Sequence, residues 1–262
     1  MRLIDCSADS VKIRVALNYQ GHPYTESFIS YPDIRPLLES LGHPSKSGNN
    51  KDQTLAAIYH PESLKDKVPG GQVINDGIPI ALHLDEVHSD RPLFPAVKGS
   101  TREQTIELAE KVHGLYGKTF TVGKGRNIAI PGIPDILDDR GREYFIRTRT
   151  ESHPEKKPPQ DWASKDPEED WKAYEPTLKP IADILAADPS GPFCLGETFS
   201  FADAIIVGQL VWFEKANKAN LDRIFGLYDR VFEKLYKRIQ EEGWIEGRGE
   251  EKEWPIPPQA SL

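Results

Sequence analysis

The stretch MRLIDCSADSVKIRVALNYQG, residues 1–21, places a short apolar strand directly before a helix. Residues 1–5 predict the strand, and apolar residues spread over 11–19 predict a mostly buried helix that stops at Gly21. A chain that enters a helix straight from a strand presents free backbone N–H groups and the positive end of the helix dipole at residues 7–11. Because an anion is stabilised there, and a thiolate is an anion, the sequence predicts a site for a negatively charged group at this turn.

Strands and helices continue to alternate up to residue 88, which is typical of an α/β domain. A proline-bearing linker without periodicity follows at 89–99, and helical spacing of apolar residues then predicts an all-α domain over 100–262. Two segments rich in charge and proline, 148–170 and 246–262, are expected to be solvated loops or partly disordered. The remaining predicted elements are strands at 24–29, 54–59 and 73–74 and helices at 34–41, 78–87, 101–116, 171–187, 200–218 and 221–241.

The composition argues against several classes of protein. The 262 residues carry 33 Lys and Arg against 41 Asp and Glu, and a net charge of -8 disfavours a nucleic-acid partner. No apolar run approaches the roughly 20 residues of a membrane helix, and the first residues do not predict a signal peptide, so a cytoplasmic protein is expected. Two cysteines are too few for a disulfide framework, and the seven histidines lack metal-binding spacing, so no metal is expected.

Three junctions between elements carry polar residues that could do chemistry or cap a helix. At the first turn, Asp9 or Ser10 can cap the helix, and Cys6 is either a nucleophile or a small residue at the strand end. Residues 75–77, Asn-Asp-Gly, can cap the next helix or bind a carboxylate or ammonium group. Residues 200–203, Ser-Phe-Ala-Asp, form a capping box, which is structural. Neither a nucleophile elbow nor a phosphate-binding loop is present.

The chain resembles the glutathione transferase superfamily over nearly its whole length, and its details look most like the fungal etherase-like branch. The resemblance implies an α/β thioredoxin-like N-terminal domain plus an all-α C-terminal domain, paired as a homodimer. It is carried by KIRVALNY at 12–19 with Gly21 and Tyr24, SYPDI at 30–34, Ile80–Ala81 through Leu84–Asp85, RPLFP at 91–95 and GETFS at 196–200.

The same resemblance implies glutathione as the cofactor and assigns residues to it. Ser7 matches the catalytic position beside the glutathione sulfur, and Ser10 is the second hydroxyl within reach. Leu55 matches the residue whose backbone pairs with the cysteinyl part, and Asp76 and Gly77 match the pair that holds the γ-glutamyl end. Lys12 and Ala56 complete the implied glutathione-binding set.

Three positions depart from the family pattern. Ala8 and Ala56 replace prolines, and Gly77 replaces a serine that would donate to the glutamyl carboxylate, although its backbone N–H remains. In the family, the proline that corresponds to Ala56 follows a cis peptide bond. Since a cis bond before a non-proline residue costs about 3 kcal/mol, this loop is expected to be trans and reshaped.

The residues predicted to bind the second substrate follow one another at the end of the first long helix: His113, Tyr116, Phe120, Lys124 and Arg126. These residues could equally serve to pack the two domains against each other. The resemblance predicts a glutathione-dependent transferase that acts on a hydrophobic electrophile. A subsidiary expectation is reversible addition that gives cis–trans isomerisation of a conjugated alkene in a secondary-metabolite pathway. The alternatives are a non-catalytic binding or regulatory protein on this fold, and a thiol transferase that depends on Cys6.

Overall fold

The computed structural model describes residues 2–5, 8–43, 55–61, 71–97 and 99–255. Its strands are β1 Arg2–Asp5, β2 Thr25–Phe28, β3 Ala57–His60, β4 Gln72–Asn75 and β5 Glu250–Glu251. Its helices are α1 Ala8–Gln20, α2 Ile34–Ser40, α3 Gly77–Val87, α4 Arg102–Thr121, α5 Gly125–Ala129, α6 Asp139–Ser152, α7 Pro167–Ala186, α8 Phe201–Ala216, α9 Lys218–Phe225 and α10 Val231–Glu241. Strands and helices alternate as far as α3, and the helices α4 to α10 follow, as the sequence predicts.

One mixed sheet organises the first domain, with the strand order β4-β3-β1-β2-β5. β1 runs parallel to β2 and antiparallel to β3, which pairs antiparallel with β4. The helix α1 connects the parallel pair β1 and β2, as the crossover between parallel strands requires. The turn between β1 and α1 therefore lies at the carboxyl end of a central strand.

The helix α1 lies at the centre of the molecule, because it packs against both α3 and α8. Its apolar residues Val11, Ile13, Val15 and Leu17 are completely buried. A helix covered on several sides has no polar face, which is why its sequence shows little amphipathic pattern. The predicted buried helix is confirmed, and through α8 it contributes to the contact between the two domains.

The predicted single helix over 221–241 is wrong, because a turn divides it into α9 and α10. Tyr228, Asp229 and Arg230 have φ angles of 47°, 55° and 60°. L-residues in this left-handed region bring Cβ close to the following carbonyl oxygen, so three in succession cannot continue a right-handed helix. The chain therefore changes direction between the two helices.

The charged segment 148–170 consists of the end of α6, a mostly exposed loop over 153–166 and the start of α7, so the predicted solvated loop is confirmed for its middle part. α6 extends to Ser152, and α7 begins at Pro167. Between them, Trp162 donates its Nε1–H to the carbonyl of Lys157 at 3.1 Å, and Ser164 donates from both its backbone N and its Oγ to Asp170 at 2.7 Å. Local hydrogen bonds therefore give this solvent-exposed loop a defined conformation.

The C-terminal segment returns to the first domain, which the sequence does not predict. Asn18 donates its Nδ2–H to the carbonyls of Trp244 and Glu246 at 2.8 and 2.7 Å. The strand β5 then pairs in parallel with β2, and Ser27 donates its Oγ–H to the carbonyl of Lys252 at 2.7 Å. The tail is thus attached to the sheet as far as residue 255, although most of its residues are exposed, as expected of a solvated segment; residues 256–262 lie outside the described residues.

Candidate functional site

The first turn of α1 contains a buried hydroxyl group without a hydrogen-bond partner. The helix begins at Ala8, so Ser10 lies inside the first turn and is not the cap residue that the sequence suggests. Ser10 is completely buried, and its Oγ bonds to no described residue. Leaving a buried polar group unsatisfied costs about 1–3 kcal/mol, so such a group in a native protein calls for a reason. The other predicted residues of this turn, Cys6 and Ser7, lie outside the described residues.

The segment before β3 and the junction before α3 lie side by side. Leu55 and Ala56 are both buried, and Asp76 donates its backbone N–H to the carbonyl of Ala56 at 3.1 Å. The peptide bond between Leu55 and Ala56 is cis, so the expectation of a trans bond is wrong. Three of the residues assigned to glutathione by resemblance are thus brought together.

Asp76 caps α3 in a conformation unusual for a non-glycine residue, with φ 78° and ψ 146°. Its Oδ1 accepts a hydrogen bond from the Gly77 backbone N–H at 2.6 Å. The backbone N–H of Gly77, which was expected to be available to a ligand carboxylate, is therefore already donated to the side chain of Asp76. The side chain of Asp76 is exposed, and its Oδ2 accepts no hydrogen bond from any described residue. An exposed carboxylate of this kind is suited to bind an ammonium group.

Lys12 fills the space that a side chain at position 77 would need. A Cβ atom added to Gly77 would lie 2.4 Å from Cε and 2.9 Å from Nζ of Lys12. The Lys12 ammonium group thus lies at the N-terminus of α3, although Lys12 is only 6% exposed. A cation at the positive end of a helix raises the local positive potential, which favours binding of an anion such as a carboxylate.

Two of the residues predicted to bind the second substrate lie on one face of α4, which continues to Thr121 as that prediction requires. Tyr116 is buried, its hydroxyl group has no partner among the described residues, and burial raises its pKa. Phe120 is half-buried against Trp212 and Phe213, with ring centroids 5.1 and 6.2 Å apart. Phe120 therefore reaches α8, whereas Tyr116 belongs to the core of the helical domain.

The other three predicted residues have exposed side chains. His113 and Arg126 are exposed, and Lys124 places its Nζ 3.4 Å from Oδ1 of the buried Asp170. Lys124 also occupies the N-cap position of α5, with a left-handed φ of 57°. The five residues therefore lie in different surroundings, and the structure does not bring them together as one surface.

A cluster of apolar and aromatic residues between the domains was missed by sequence reasoning. We call it the interdomain cluster. The apolar stretch that contributes Ile130 and Ile133 is interrupted by prolines at 131 and 134. It therefore shows neither the helical nor the strand spacing from which burial is predicted. The cluster joins Ile130, Ile133 and Phe145 with the partly buried Tyr31, Leu137, Trp162, Trp212 and Ala216.

Polar contacts fasten α6 to the first domain beside this cluster. Arg140 donates two hydrogen bonds of 2.8 Å to the buried carboxylate of Asp33, and Ser30 donates its Oγ–H to Asp138 at 3.0 Å. The Tyr31 and Phe145 rings meet edge to face, with centroids 5.5 Å apart. A bidentate arginine–carboxylate pair fixes orientation as well as distance, so α6 is held in a defined position against the first domain.

The described helices include none with the length and apolar character needed to cross a bilayer. In the same ranges, no three His, Cys, Asp or Glu side chains gather as ligands for a metal ion.

Comparisons with known proteins agree with this architecture. Residues 108–241 match the family model of the glutathione S-transferase C-terminal domain. The glutathione S-transferase-like protein ustS of Aspergillus flavus is 38% identical over 98% of this chain and 91% of its own length.

Among solved structures, a Ceriporiopsis subvermispora glutathione S-transferase crystallised with glutathione has a TM-score of 0.76 at 24% identity, covering 92% of this chain and 96% of its own. Glutathione transferase GSTFuA3 of Phanerochaete chrysosporium has a TM-score of 0.74 at 23% identity, covering 94% and 97%. These likenesses confirm the predicted fold, a thioredoxin-like domain followed by an all-α domain. Together with the family model and the sequence relative, they show that the chain belongs to the glutathione transferase family.

Proposed function

We propose that this chain is a glutathione-dependent transferase in which Ser10 and the N-terminus of α1 stabilise a thiolate. The observation that best supports this proposal is the buried Oγ of Ser10. It has no hydrogen-bond partner among the described residues and lies in the first turn of a 13-residue helix. Bound glutathione supplies the nucleophilic sulfur. A free thiol with a pKa near 8.5 is mostly protonated at neutral pH, so a hydroxyl donor and a helix dipole that favour the anion increase the reactive fraction.

The other residues at this end of the sheet fit the two charged groups of a γ-glutamyl moiety. The exposed carboxylate of Asp76 binds the ammonium group, and the Lys12 ammonium binds the carboxylate. This division of roles is supported by Lys12 lying where the family's serine would project from position 77. The backbone of Leu55 and Ala56, held next to Asp76, pairs with the cysteinyl part.

The finer proposal concerns the reaction with a hydrophobic electrophile. Attack on a conjugated alkene forms a carbon–sulfur bond; rotation about the former double bond and expulsion of the thiolate then give the isomerised alkene. Simple conjugation keeps the carbon–sulfur bond. A thiol assay separates the two reactions, because conjugation consumes one thiol per product and isomerisation consumes none. The homodimer and the cytoplasmic location stay predictions.

A non-catalytic binding protein is the second candidate. The observation that favours it is the Gly77 N–H, which is donated to Asp76 and therefore not directed at a ligand. The Cys6-dependent thiol transferase is a third candidate, which substitution of Cys6 by serine would test directly.

Titration calorimetry with reduced glutathione tests the proposed function. We expect saturable binding in the micromolar to low millimolar range. S-methylglutathione should bind about 10-fold more weakly, because a thioether cannot form the charged hydrogen bond with Ser10. Absence of both heat and thermal stabilisation at several millimolar would contradict the proposal and leave the binding-protein alternative.

The proximity of Lys12 and Gly77 gives a sharper prediction. Lys12→Ala should weaken glutathione binding about 10-fold, the effect of losing one hydrogen bond to a charged group. Gly77→Ala should weaken it similarly in the wild-type background, because the added Cβ displaces the end of the Lys12 side chain. In the Lys12→Ala background, Gly77→Ala should change the dissociation constant less than 2-fold. Calorimetry on the wild type, the two single variants and the double variant measures the coupling energy between the two positions. Strictly additive losses of binding free energy would exclude this role for Lys12.

A further inference from the structure

Arg149 on α6 is half-buried, and its guanidinium group has no acceptor among the described residues. It lies over the Phe145 ring, 4.8 Å from the ring centroid, and makes no hydrogen bond or ion pair with any described residue. The other buried or half-buried arginines of the described chain all donate to a carboxylate or a carbonyl. These are Arg14 to Glu26, Arg102 to Asp85, Arg142 to the carbonyl of Pro134, and Arg223 to Glu168 and Glu175.

The position of Arg149 places it beside the interdomain cluster. Gly141, Phe145 and Arg149 are four residues apart and so share one face of α6. This face lies against the first domain, because a Cβ on Gly141 would be 3.4 Å from the Oγ of Ser30 and the Phe145 ring contacts Tyr31. Arg149 therefore continues, by one helical turn, the surface at which the two domains meet.

This surface combines aromatic rings with the positive charge of Arg149, which no described carboxylate pairs with. Tyr31, Trp162 and Trp212 are only partly buried within the interdomain cluster, and flat conjugated molecules pack well on such rings. A guanidinium group binds a carboxylate through two parallel hydrogen bonds and stacks on a ring at the same time. Cation–π attraction to the Phe145 ring favours this position of the guanidinium group in the absence of a ligand.

We propose that the second substrate is a flat aromatic or conjugated molecule that carries an anionic group, and that Arg149 binds this group. The proposal rests on the proposed function, because it places the second substrate of that reaction against the interdomain cluster. It predicts that the enzyme prefers a carboxylate-bearing electrophile over its neutral ester.

A pair of fluorescent probes tests charge recognition without any reaction. 8-Anilinonaphthalene-1-sulfonate and N-phenyl-1-naphthylamine share one ring system, and only the first is anionic. Arg149→Gln should weaken binding of the sulfonate about 10-fold and that of the neutral amine less than 2-fold. The matched control is Arg147→Gln, which removes an exposed arginine stacked 5.6 Å over Tyr144 on the same helix and should leave both probes within 2-fold. Equal effects of the two variants on sulfonate binding, or equal effects of Arg149→Gln on the two probes, would overturn the proposal.

Turnover provides the second arm of the test. With 3-benzoylacrylic acid and its methyl ester as electrophiles, Arg149→Gln should raise KM for the acid about 10-fold and leave kcat and the ester kinetics unchanged. Arg149→Lys should recover part of the loss, since it keeps the charge without the bidentate geometry. Failure of the wild-type protein to bind glutathione would refute the proposed function. Normal glutathione binding with no probe selectivity in Arg149→Gln would refute the present proposal alone.

Discussion

Ser10→Ala should lower kcat of the thiol transfer about 100-fold without lowering the stability of the protein. The loss is expected because a hydroxyl group that bonds a thiolate stabilises the charged form by roughly 1.5–3 kcal/mol, which is about one to two units of the thiol pKa. Stability should stay the same or rise by about 1 kcal/mol, because the substitution removes a buried hydroxyl that bonds to no described residue. If Ser10 is retained for function at the expense of stability, its removal should lower activity and leave stability equal or higher.

Absorbance of the thiolate in the glutathione complex measures this effect directly. The apparent pKa of the bound thiol should rise by about one to two units in Ser10→Ala, and thermal unfolding should give an unchanged or higher Tm. Ser27→Ala is the matched control, because Ser27 lies in the same domain and its hydroxyl has a partner, the carbonyl of Lys252. That variant should lose about 1 kcal/mol of stability and keep its activity. If Ser10→Ala is fully active and Ser7→Ala is not, the catalytic hydroxyl is that of Ser7.

Asp203→Ala should be the most destabilising of these substitutions, by about 3 kcal/mol or more. The Asp203 carboxylate is completely buried and accepts hydrogen bonds from the backbone N–H groups of Cys194 and Ser200 at 2.7 and 2.8 Å. It also accepts from the Ser200 hydroxyl group at 2.9 Å. The substitution leaves these donors without a partner in a dry core, and each such group costs about 1–3 kcal/mol.

The same residue gives a pH dependence with a defined sign. Burial raises the pKa of Asp203 from its ordinary value of 3.8 to about 6. The ordinary value applies to the unfolded chain and the raised value to the folded one, so between about pH 4 and pH 6 the unfolded chain binds fewer protons at this residue. Ionisation therefore opposes folding, and the contribution of Asp203 to the stability of the fold decreases as pH rises. A shift of this size corresponds to about 3 kcal/mol. The destabilisation by Asp203→Ala should therefore be larger at pH 4.5 than at pH 7.

Urea unfolding of both proteins across this pH range measures the effect. Asn217→Ala is the control, because Asn217 caps α9 with a side chain that does not titrate. Its effect should be about 1 kcal/mol at every pH. A gap between wild type and Asp203→Ala that widens toward pH 7 would contradict the assigned direction. If Asp203→Ala does not fold, Ser200→Ala removes one donor and should lose about 1 kcal/mol.

Local periodicity was sufficient for most of the fold. The strand β1, the buried helix α1 and the helices α4, α7 and α8 each have their signal within one continuous stretch, including the capping residues Thr101 and Ser200. The element β5 has no such signal, because two adjacent glutamates become a strand only by pairing with β2. The helix α6 was hidden for a related reason: its burial depends on Ser30–Asp33, more than a hundred residues away.

The candidate site was predictable as a set of positions but not as an arrangement. Family resemblance located Leu55, Ala56, Asp76 and Gly77, and the structure adds the hydrogen bond that joins Ala56 to Asp76. The contact between Lys12 and Gly77 requires α1 and α3 to pack closely, which no local pattern encodes. Arg149 was missed because one arginine in a charged segment has no distinguishing sequence context.

The return of the C-terminal segment to the first sheet also determines how the molecule would carry a mechanical load. The strands β1, β2 and β5 are adjacent and parallel, so the two ends of the described chain leave one sheet in opposite directions. A pulling force applied to these ends would load the hydrogen bonds between the strands in shear, and all of them would resist together. The helices α4 to α10 lie outside this force path, although they separate the two ends by most of the sequence. Tethering the protein by its termini would therefore stress the thioredoxin-like sheet first and leave the helical domain without tension until that sheet parts.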